Sequence, residues 1–127
     1  MKNIIIIPSI EEIITINKEL EKNFSVNKGA LDFIISKIKS KKPSNDRKKD
    51  IAKCAAILWH DIITNHPFLD GNKRTATESM LMLIELNNYE LRCPPNGLIY
   101  ISLKLANNDM SINELINWIY SRLEQKK

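Results

Sequence analysis

One short stretch of the chain, NHPFLDGNKRTATES at residues 65–79, contains a histidine, a carboxylate and two cations in close succession. Histidine is the commonest general base at neutral pH, so His66 could accept a proton. Asp70 could bind Mg²⁺, which takes one or two carboxylates together with phosphate oxygens. Lys73 and Arg74 fall in the first turn of a predicted helix, although that end carries partial positive charge and favours acids. Cations at this position predict an anionic ligand.

The residues between the histidine and the cations predict a tight loop that leads into an anion site. Pro67 disfavours helical backbone at His66, so we expect the preceding helix to end there. The first backbone N–H groups of the following helix have no partner within it and can bind an anion. Gly71 would let a ligand approach the backbone closely. A base, a metal ligand and a phosphate cradle are the parts that phosphate-group transfer needs.

Each of these residues also has an ordinary structural explanation. A histidine before proline commonly closes a loop by a hydrogen bond, Asp-Gly is a common turn pair, and Lys-Arg is usually a solvated surface. The sequence GNKRT does not fit the phosphate loop GxxxxGK[ST], because the spacing differs and no strand precedes it. It is their combination, in this order at a helix start, that favours a functional site.

Apolar spacing and capping signals predict an all-α domain of about six helices, with this loop between two central, buried helices. Ser9 with Glu12, and Ser111 with Glu114, have the spacing of capping boxes. The predicted helices run from the Ser9 cap to about residue 22, then over 30–40, 47–64 and 72–87, through a fifth that ends near 106, and from the Ser111 cap to about 125. The stretch NYELRCPPNG, residues 88–97, is predicted to be a turn with a short extended piece.

Bulk composition is that of one globular domain over residues 1–127. The net charge is +4, hydrophobic residues make up 43% and charged residues 27% of the chain. The two cysteines form no CxxC pair, and Cys54 is predicted to be a buried thiol. The apolar start MKNIIIIPSI is too short for a signal-peptide core or a membrane span, so we expect a cytoplasmic location and no membrane partner.

The stretch HPFLDGNKRTA resembles the motif HxFx(D/E)GNGRxxR of the Fic/Doc family, and specifically its death-on-curing branch. PSIEEIITIN, AAILWHDIITN and NELINWIYSRL also resemble that family, so the resemblance covers nearly the whole chain. It implies the all-helical Fic fold, with the motif between the two central helices. It also implies a loop at FSVNKG, residues 24–29, that aligns the target chain as a flap.

The resemblance implies a role for each motif residue. His66 would be the base that activates a hydroxyl of a target protein, Asp70 would bind Mg²⁺, and Phe68 would be the buried anchor of the loop. The phosphates of ATP would be held by Gly71, Asn72, Lys73 and Arg74.

The chain departs from the nucleotide-transferring members of the family at two positions. They have glycine where this chain has Lys73, and a second arginine where it has Thr77. The same departures occur in death-on-curing proteins, which are phosphotransferases that bind ATP reversed, phosphorylate a threonine of elongation factor Tu and stop translation. The resemblance therefore favours a kinase over an adenylyl transferase.

Regulation is also implied by the resemblance. Family members often carry an inhibitory (S/T)xxxE(G/N) motif, and Thr15 with Glu19 has that spacing, but Leu20 follows. We interpret both as ordinary helix residues and expect a separate antitoxin instead.

A basic region with few acids spans residues 37–53. It is interpreted as a solvated surface, although it could attract ATP, an acidic antitoxin segment or nucleic acid. Direct binding of nucleic acid is not expected. His60 is predicted to be packed or partly exposed, and Trp59 and Trp118 to be core.

Three hypotheses follow. The first is a death-on-curing-like toxin, an Mg-ATP-dependent kinase that acts on a threonine or serine of a protein. The second is a Fic-like adenylyl transferase, and the third is a non-catalytic basic binding module.

Overall fold

The computed structural model describes residues 4–127, so the first three residues of the predicted domain lie outside it. Its elements confirm the all-α prediction, since six helices account for nearly all of the regular structure. In chain order they are α1 (Ile10–Leu20), α2 (Lys28–Lys39), α3 (Arg47–Asn65), α4 (Asn72–Leu86), β1 (Tyr89–Leu91), α5 (Pro95–Ala106), α6 (Ile112–Tyr120) and β2 (Leu123–Gln125).

Side-chain caps fix where most helices begin. Both predicted capping boxes are present, because Ser9 and Ser111 accept from the backbone N–H groups of Glu12 and Glu114 while those side chains accept in return. Asp46 caps α3 by accepting from the N–H of Lys49 at 3.1 Å. Helix α2 begins two residues before the prediction, because Asn27 accepts from the N–H of Ala30 and caps it.

Helix α3 is the centre of the molecule, as its broad apolar cover predicted. It packs against α2, α4, α5 and α6, and Trp59 near its middle is completely buried. Trp118 of α6 packs against Trp59, and the centroids of the two rings lie 6.0 Å apart. A helix enclosed on most sides holds its last turn, and thus the loop that follows, in a fixed position.

The prediction that the last helix reaches residue 125 is wrong. Helix α6 ends at Tyr120, and Leu123–Gln125 instead form β2, which pairs antiparallel with β1 so that Leu123 lies opposite Leu91. The apolar positions 115, 119 and 123 continue the helical spacing, so periodicity alone could not show the break. Pairing with β1 satisfies the backbone groups of this segment and still buries Leu123.

The extended segment before α1 is fastened to the C-terminal end of α4. The side chain of Asn87 donates to the carbonyl of Ile6 and accepts from its N–H, both at 2.8 Å. Arg47 donates to the carbonyl of Ile4 at 3.1 Å. Within residues 4–127, no helix is both long and apolar enough to cross a membrane.

Candidate active site

The loop between α3 and α4 begins with a histidine in an unusual backbone conformation. His66 caps the C-terminus of α3 with φ 50° and ψ 58°, in the left-handed region, and its N–H donates to the carbonyl of Ile62 at 3.2 Å. Few residues other than glycine adopt this region, and such strain persists only where the surroundings enforce it. The histidine side chain is exposed, so it can reach a bound molecule.

Asn72 and Phe68 hold the loop in shape. The Asn72 side chain accepts from the N–H of Phe68 at 3.0 Å and donates to its carbonyl at 2.8 Å. The Phe68 ring is buried in the core. Asn72 was predicted to hold phosphate, but its side-chain amide is used to fix the loop. Its backbone N–H lies in the first turn of α4 and is the group of this residue that could contact a phosphate.

A second loop pairs with the first. The N–H of Asn27 donates to the carbonyl of Pro67 at 2.7 Å, and the N–H of Leu69 donates to the carbonyl of Ser25 at 3.0 Å. These bonds flank an isolated antiparallel bridge between Val26 and Phe68. The segment predicted to be a flap, residues 24–29, therefore runs alongside the loop that carries His66.

The N-terminus of α4 has the properties of an anion site. Gly71 adopts φ 76° and provides no side-chain cap, and the first helical hydrogen bond is from the N–H of Thr75 to the Gly71 carbonyl. The preceding N–H groups of the first turn have no partner within the helix. Lys73 and Arg74 are exposed, and no carboxylate of residues 4–127 lies within 4.0 Å of either cation.

Most of the predicted site residues line a single small cavity of about 200 Å³. It brings together His66, Asp70, Gly71, Asn72 and Lys73, with Leu69, Ile63 and Ala106 completing the wall. Arg74 lines the neighbouring cavity between α4 and α5, of about 420 Å³, which it shares with Lys73. Phe68 lines neither cavity, because it lies in the core beneath the loop.

Sequence reasoning missed the residue that holds Asp70. Asn17 of α1 is buried, and its side-chain nitrogen donates to the carbonyl of Asp70 at 2.8 Å and to the hydroxyl of Thr75 at 2.9 Å. The signal in the sequence was a polar residue on the buried face of α1, four positions after Ile13. An asparagine there requires polar partners from another element.

Sequence reasoning also missed the carboxylate beside Gly71. A methyl group built on Gly71 would lie 2.6 Å from Oε2 and 2.7 Å from Cγ of Glu21, so this side chain rests directly against the glycine. Glu21 is the C-cap of α1. Its carboxylate lies beside the start of α4, and an anion bound there would have to share that space with it.

The two positions where the sequence departs from the nucleotide-transferring motif lie on one face of α4. Thr77 accepts from the indole N–H of Trp59 at 3.1 Å, donates to the carbonyl of Lys73 at 2.9 Å and lies 3.0 Å from the Ser102 hydroxyl. A short hydroxyl thus completes a hydrogen-bonded contact with the central helix at this position.

The residues with inhibitory-motif spacing lie elsewhere on α1. Thr15 and Glu19 are exposed, and Glu19 lines a groove between α1 and α4 instead of the cavity that contains His66. These positions agree with the interpretation of Thr15 and Glu19 as ordinary helix residues.

The donor set around Asp70 suits one kind of metal site. In residues 4–127, no three side chains of His, Cys, Asp or Glu come together to hold an ion. The exposed Asp70 carboxylate next to an anion cradle fits Mg²⁺, which keeps several waters and uses phosphate oxygens as its other ligands. Zinc, which needs three or four protein ligands, does not fit.

Comparison with known proteins agrees with this geometry. The model of the Fic/DOC family matches residues 8–84, more than half of the chain, from α1 through the loop to the last turn of α4. No curated protein matches the chain. Members of this family are typically transferases that use ATP with a divalent metal ion. The match includes every residue of the cavity wall except Ala106, and the chain belongs to the Fic/DOC family.

Proposed function

We propose that this protein is a death-on-curing-type toxin that transfers the γ-phosphate of Mg-ATP to a threonine or serine hydroxyl of a protein. The observation that carries the proposal is the shared cavity of His66, Asp70, Gly71 and Lys73. A general base, a carboxylate and a cation beside unpaired helix N–H groups are arranged there around a space that a phosphate group could enter. Transfer between oxygens depends mainly on such positioning and on charge stabilisation.

His66 would accept the proton of the attacking hydroxyl. Its exposed ring stands at the end of a helix that is rigidly enclosed, so its position relative to Asp70 is set by the fold. The adjacent segment 24–29 has backbone paired with the loop on one side, and we infer that it receives the target chain on the other.

Asp70 and Lys73 would divide the phosphates between them. Mg²⁺ bound at Asp70 would neutralise phosphate charge and orient the phosphate oxygens. Lys73 places a side-chain cation at the start of α4, where the nucleotide-transferring motif has a glycine. We favour transfer of the terminal phosphate over transfer of the adenylyl group because the Lys73 ammonium group would bind a phosphate at that place.

The proposed target and the proposed antitoxin rest on the resemblance to one branch of the family. By resemblance to death-on-curing proteins we propose elongation factor Tu as the target, inhibition of translation as the outcome, and a cognate antitoxin as the partner. Adenylyl transfer to a protein hydroxyl is the second candidate, favoured by family membership, and a non-catalytic role is the third.

The test is a transfer assay with labelled ATP. The full chain is incubated with Mg²⁺ and elongation factor Tu, using ATP labelled at either the γ or the α phosphate. Label that arrives only from the γ position would support the kinase, and label from the α position would support adenylyl transfer instead. No transfer from either position would contradict the proposed target.

His66→Ala is the matched variant for this assay. Removal of a general base lowers a rate by about 10²-fold or more, and the exposed position of His66 should leave folding intact. Transfer or toxicity that is unchanged in this variant would contradict the enzyme proposal and favour the binding module.

A further inference from the structure

A cavity on another side of the molecule collects several of the basic residues. It lies between α2, α3 and α6, has a volume of about 380 Å³, and is lined by Lys37, Lys41, Lys53 and His60 together with Asp61 and Asn113. Its remaining wall is formed by Ile57, Ile112 and Ile116. It shares no lining residue with the cavity that contains His66.

A buried carboxylate holds two of these side chains in place. Asp61 is 5% exposed, and its two oxygens accept from Lys37 Nζ at 3.0 Å and contact His60 Nδ1 at 2.7 Å. Burying a carboxylate is costly unless it is paired. Here the pairing orients one lysine of α2 and one histidine of α3 at the wall of the same cavity.

The cavity has more positive than negative charge. Lys41 and Lys53 have no carboxylate within 4.0 Å anywhere in the described part of the chain, whereas Lys37 is paired with Asp61. Three ammonium groups and one carboxylate leave a formal surplus of two positive charges before His60 is counted. Phosphate monoesters carry about 1.5–2 negative charges at pH 7, which matches that surplus.

The isoleucines in the cavity wall indicate that the ligand also has an apolar part. Ile57 comes from α3, and Ile112 and Ile116 come from α6, so an apolar surface faces the same space as the cations. The volume falls in the range of small-molecule sites, which combine apolar walls with a few polar groups. A bare inorganic anion would leave this apolar surface unused.

We propose that this cavity binds a small ligand that carries a phosphate monoester on an apolar or planar body, of the size of a nucleoside monophosphate. Lys41 and Lys53 hold the phosphate, His60 and Lys37 contact it from the side fixed by Asp61, and the isoleucines cover the body. The site is separate from the loop that carries His66 and does not depend on transfer activity.

The test is a titration of the full chain by NMR. Phenyl phosphate is the probe, and inorganic phosphate and benzyl alcohol test its charged and apolar parts separately. The signals followed are the His60 ring and the methyl groups of Ile57, Ile112 and Ile116. Phenyl phosphate should shift all of them at the lowest concentration of the three. The same shifts should occur in the His66→Ala variant, which separates this site from the proposed transferase site.

Matched variants decide whether the lysines hold the phosphate. Lys41→Gln with Lys53→Gln should weaken binding about tenfold, from loss of two partly exposed ion pairs. Lys42→Gln with Lys127→Gln removes the same charge from exposed positions outside the cavity and should change binding less than about twofold. Equal weakening by both pairs, or shifts confined to the loop of His66, would overturn the proposal. So would inorganic phosphate binding as tightly as phenyl phosphate.

Discussion

At the scale of single residues, the proposed phosphate transfer rests on Lys73. The residue occupies the second position of α4 and lines the cavities on both sides of the helix start. A charged side chain there can bind a phosphate directly, whereas a glycine leaves only backbone N–H groups. Our proposal of phosphate transfer over adenylyl transfer thus depends on one side chain.

Lys73→Gly should lower the rate of γ-phosphate transfer about 10- to 100-fold, from loss of a charge-assisted bond worth about 1.5–3 kcal/mol. The rate is measured with γ-labelled ATP and compared with that of Lys48→Gly, which makes the same change at the second position of α3. A variant that transfers the same group at the same rate would refute the role of Lys73.

The two cysteines should react very differently with iodoacetamide. Burial, with a smaller effect from Asp50, raises the pKa of Cys54 to about 11, so that about one thiol in a thousand is ionised at pH 8. Cys93 is half-buried. We expect mass spectrometry to find Cys93 modified in the folded protein and Cys54 modified only after unfolding. Rapid labelling of Cys54 in the folded protein would contradict its burial.

At the scale of elements, α1 sets the geometry of a loop far from it in sequence. Asn17→Ala removes the donor to the Asp70 carbonyl and to the buried Thr75 hydroxyl. The unfolding free energy should fall by about 1–3 kcal/mol, toward the lower end because the side-chain oxygen of Asn17 has no partner in residues 4–127. The Mg²⁺ concentration needed for half-maximal transfer should rise.

Thr75→Val is the matched control for this prediction. It should also destabilise the protein, but it leaves the hydrogen bond from Asn17 to Asp70 intact. Titrating Mg²⁺ in the transfer assay therefore separates positioning from stability. If both variants raise the Mg²⁺ requirement equally, Asn17 does not act through Asp70.

Gly71→Ala should destabilise the start of α4 for two reasons. The left-handed backbone costs a residue with Cβ about 1–2 kcal/mol, and the added methyl would meet the Glu21 side chain. In a Glu21→Ala background, the cost of the contact with Glu21 should vanish and the cost of the left-handed backbone should remain. Urea unfolding measures both as changes in the free energy of unfolding. Gly29→Ala in α2 has room, since its nearest contact is 3.4 Å, and should be neutral or stabilising. A loss at Gly71 no larger than at Gly29 would contradict this reasoning.

The sequence predicted elements well where one local signal determined them. The capping boxes of α1 and α6, the end of α3, the start of α4 and the loop between them follow from serine, proline and glycine at particular positions. It failed at residues 121–125, where strand pairing with β1 competes with a helical apolar pattern. Asn17 and Glu21 could not be assigned to the site, because their partners lie about fifty residues away and only the packing of α1 on α4 brings them together.

At the scale of the whole molecule, one ion pair between helices makes stability depend on pH. Burial alone would raise the pKa of Asp61, but the hydrogen bonds of His60 and Lys37 outweigh it and hold that pKa below its usual value of 3.8. A carboxyl group with a lowered pKa stabilises the fold above its unfolded pKa, and this stabilisation is lost as pH falls through the folded value.

Asp61→Asn should therefore be less stable than the wild type by about 1–3 kcal/mol near neutral pH. The difference should shrink as the pH falls below about 4, where Asp61 of the wild type also becomes neutral. Urea unfolding across this pH range measures it, with the exposed Asp32→Asn as control. A difference that is the same at pH 3 and pH 7 would show that the carboxylate charge is not what stabilises the pair.

Both ends of the described chain are fastened at the same place. Ile6 is bound by Asn87, the C-cap of α4, and the N–H of Lys126 donates to the carbonyl of Asn88 at 3.0 Å. The loop with His66 lies at the opposite end of α4, a helix of 15 residues and thus about 22 Å long. An affinity tag, a fluorescent protein or a tether to a sensor surface, attached at either end, would emerge about a helix length from the cavity. Immobilisation should therefore leave the proposed nucleotide site accessible.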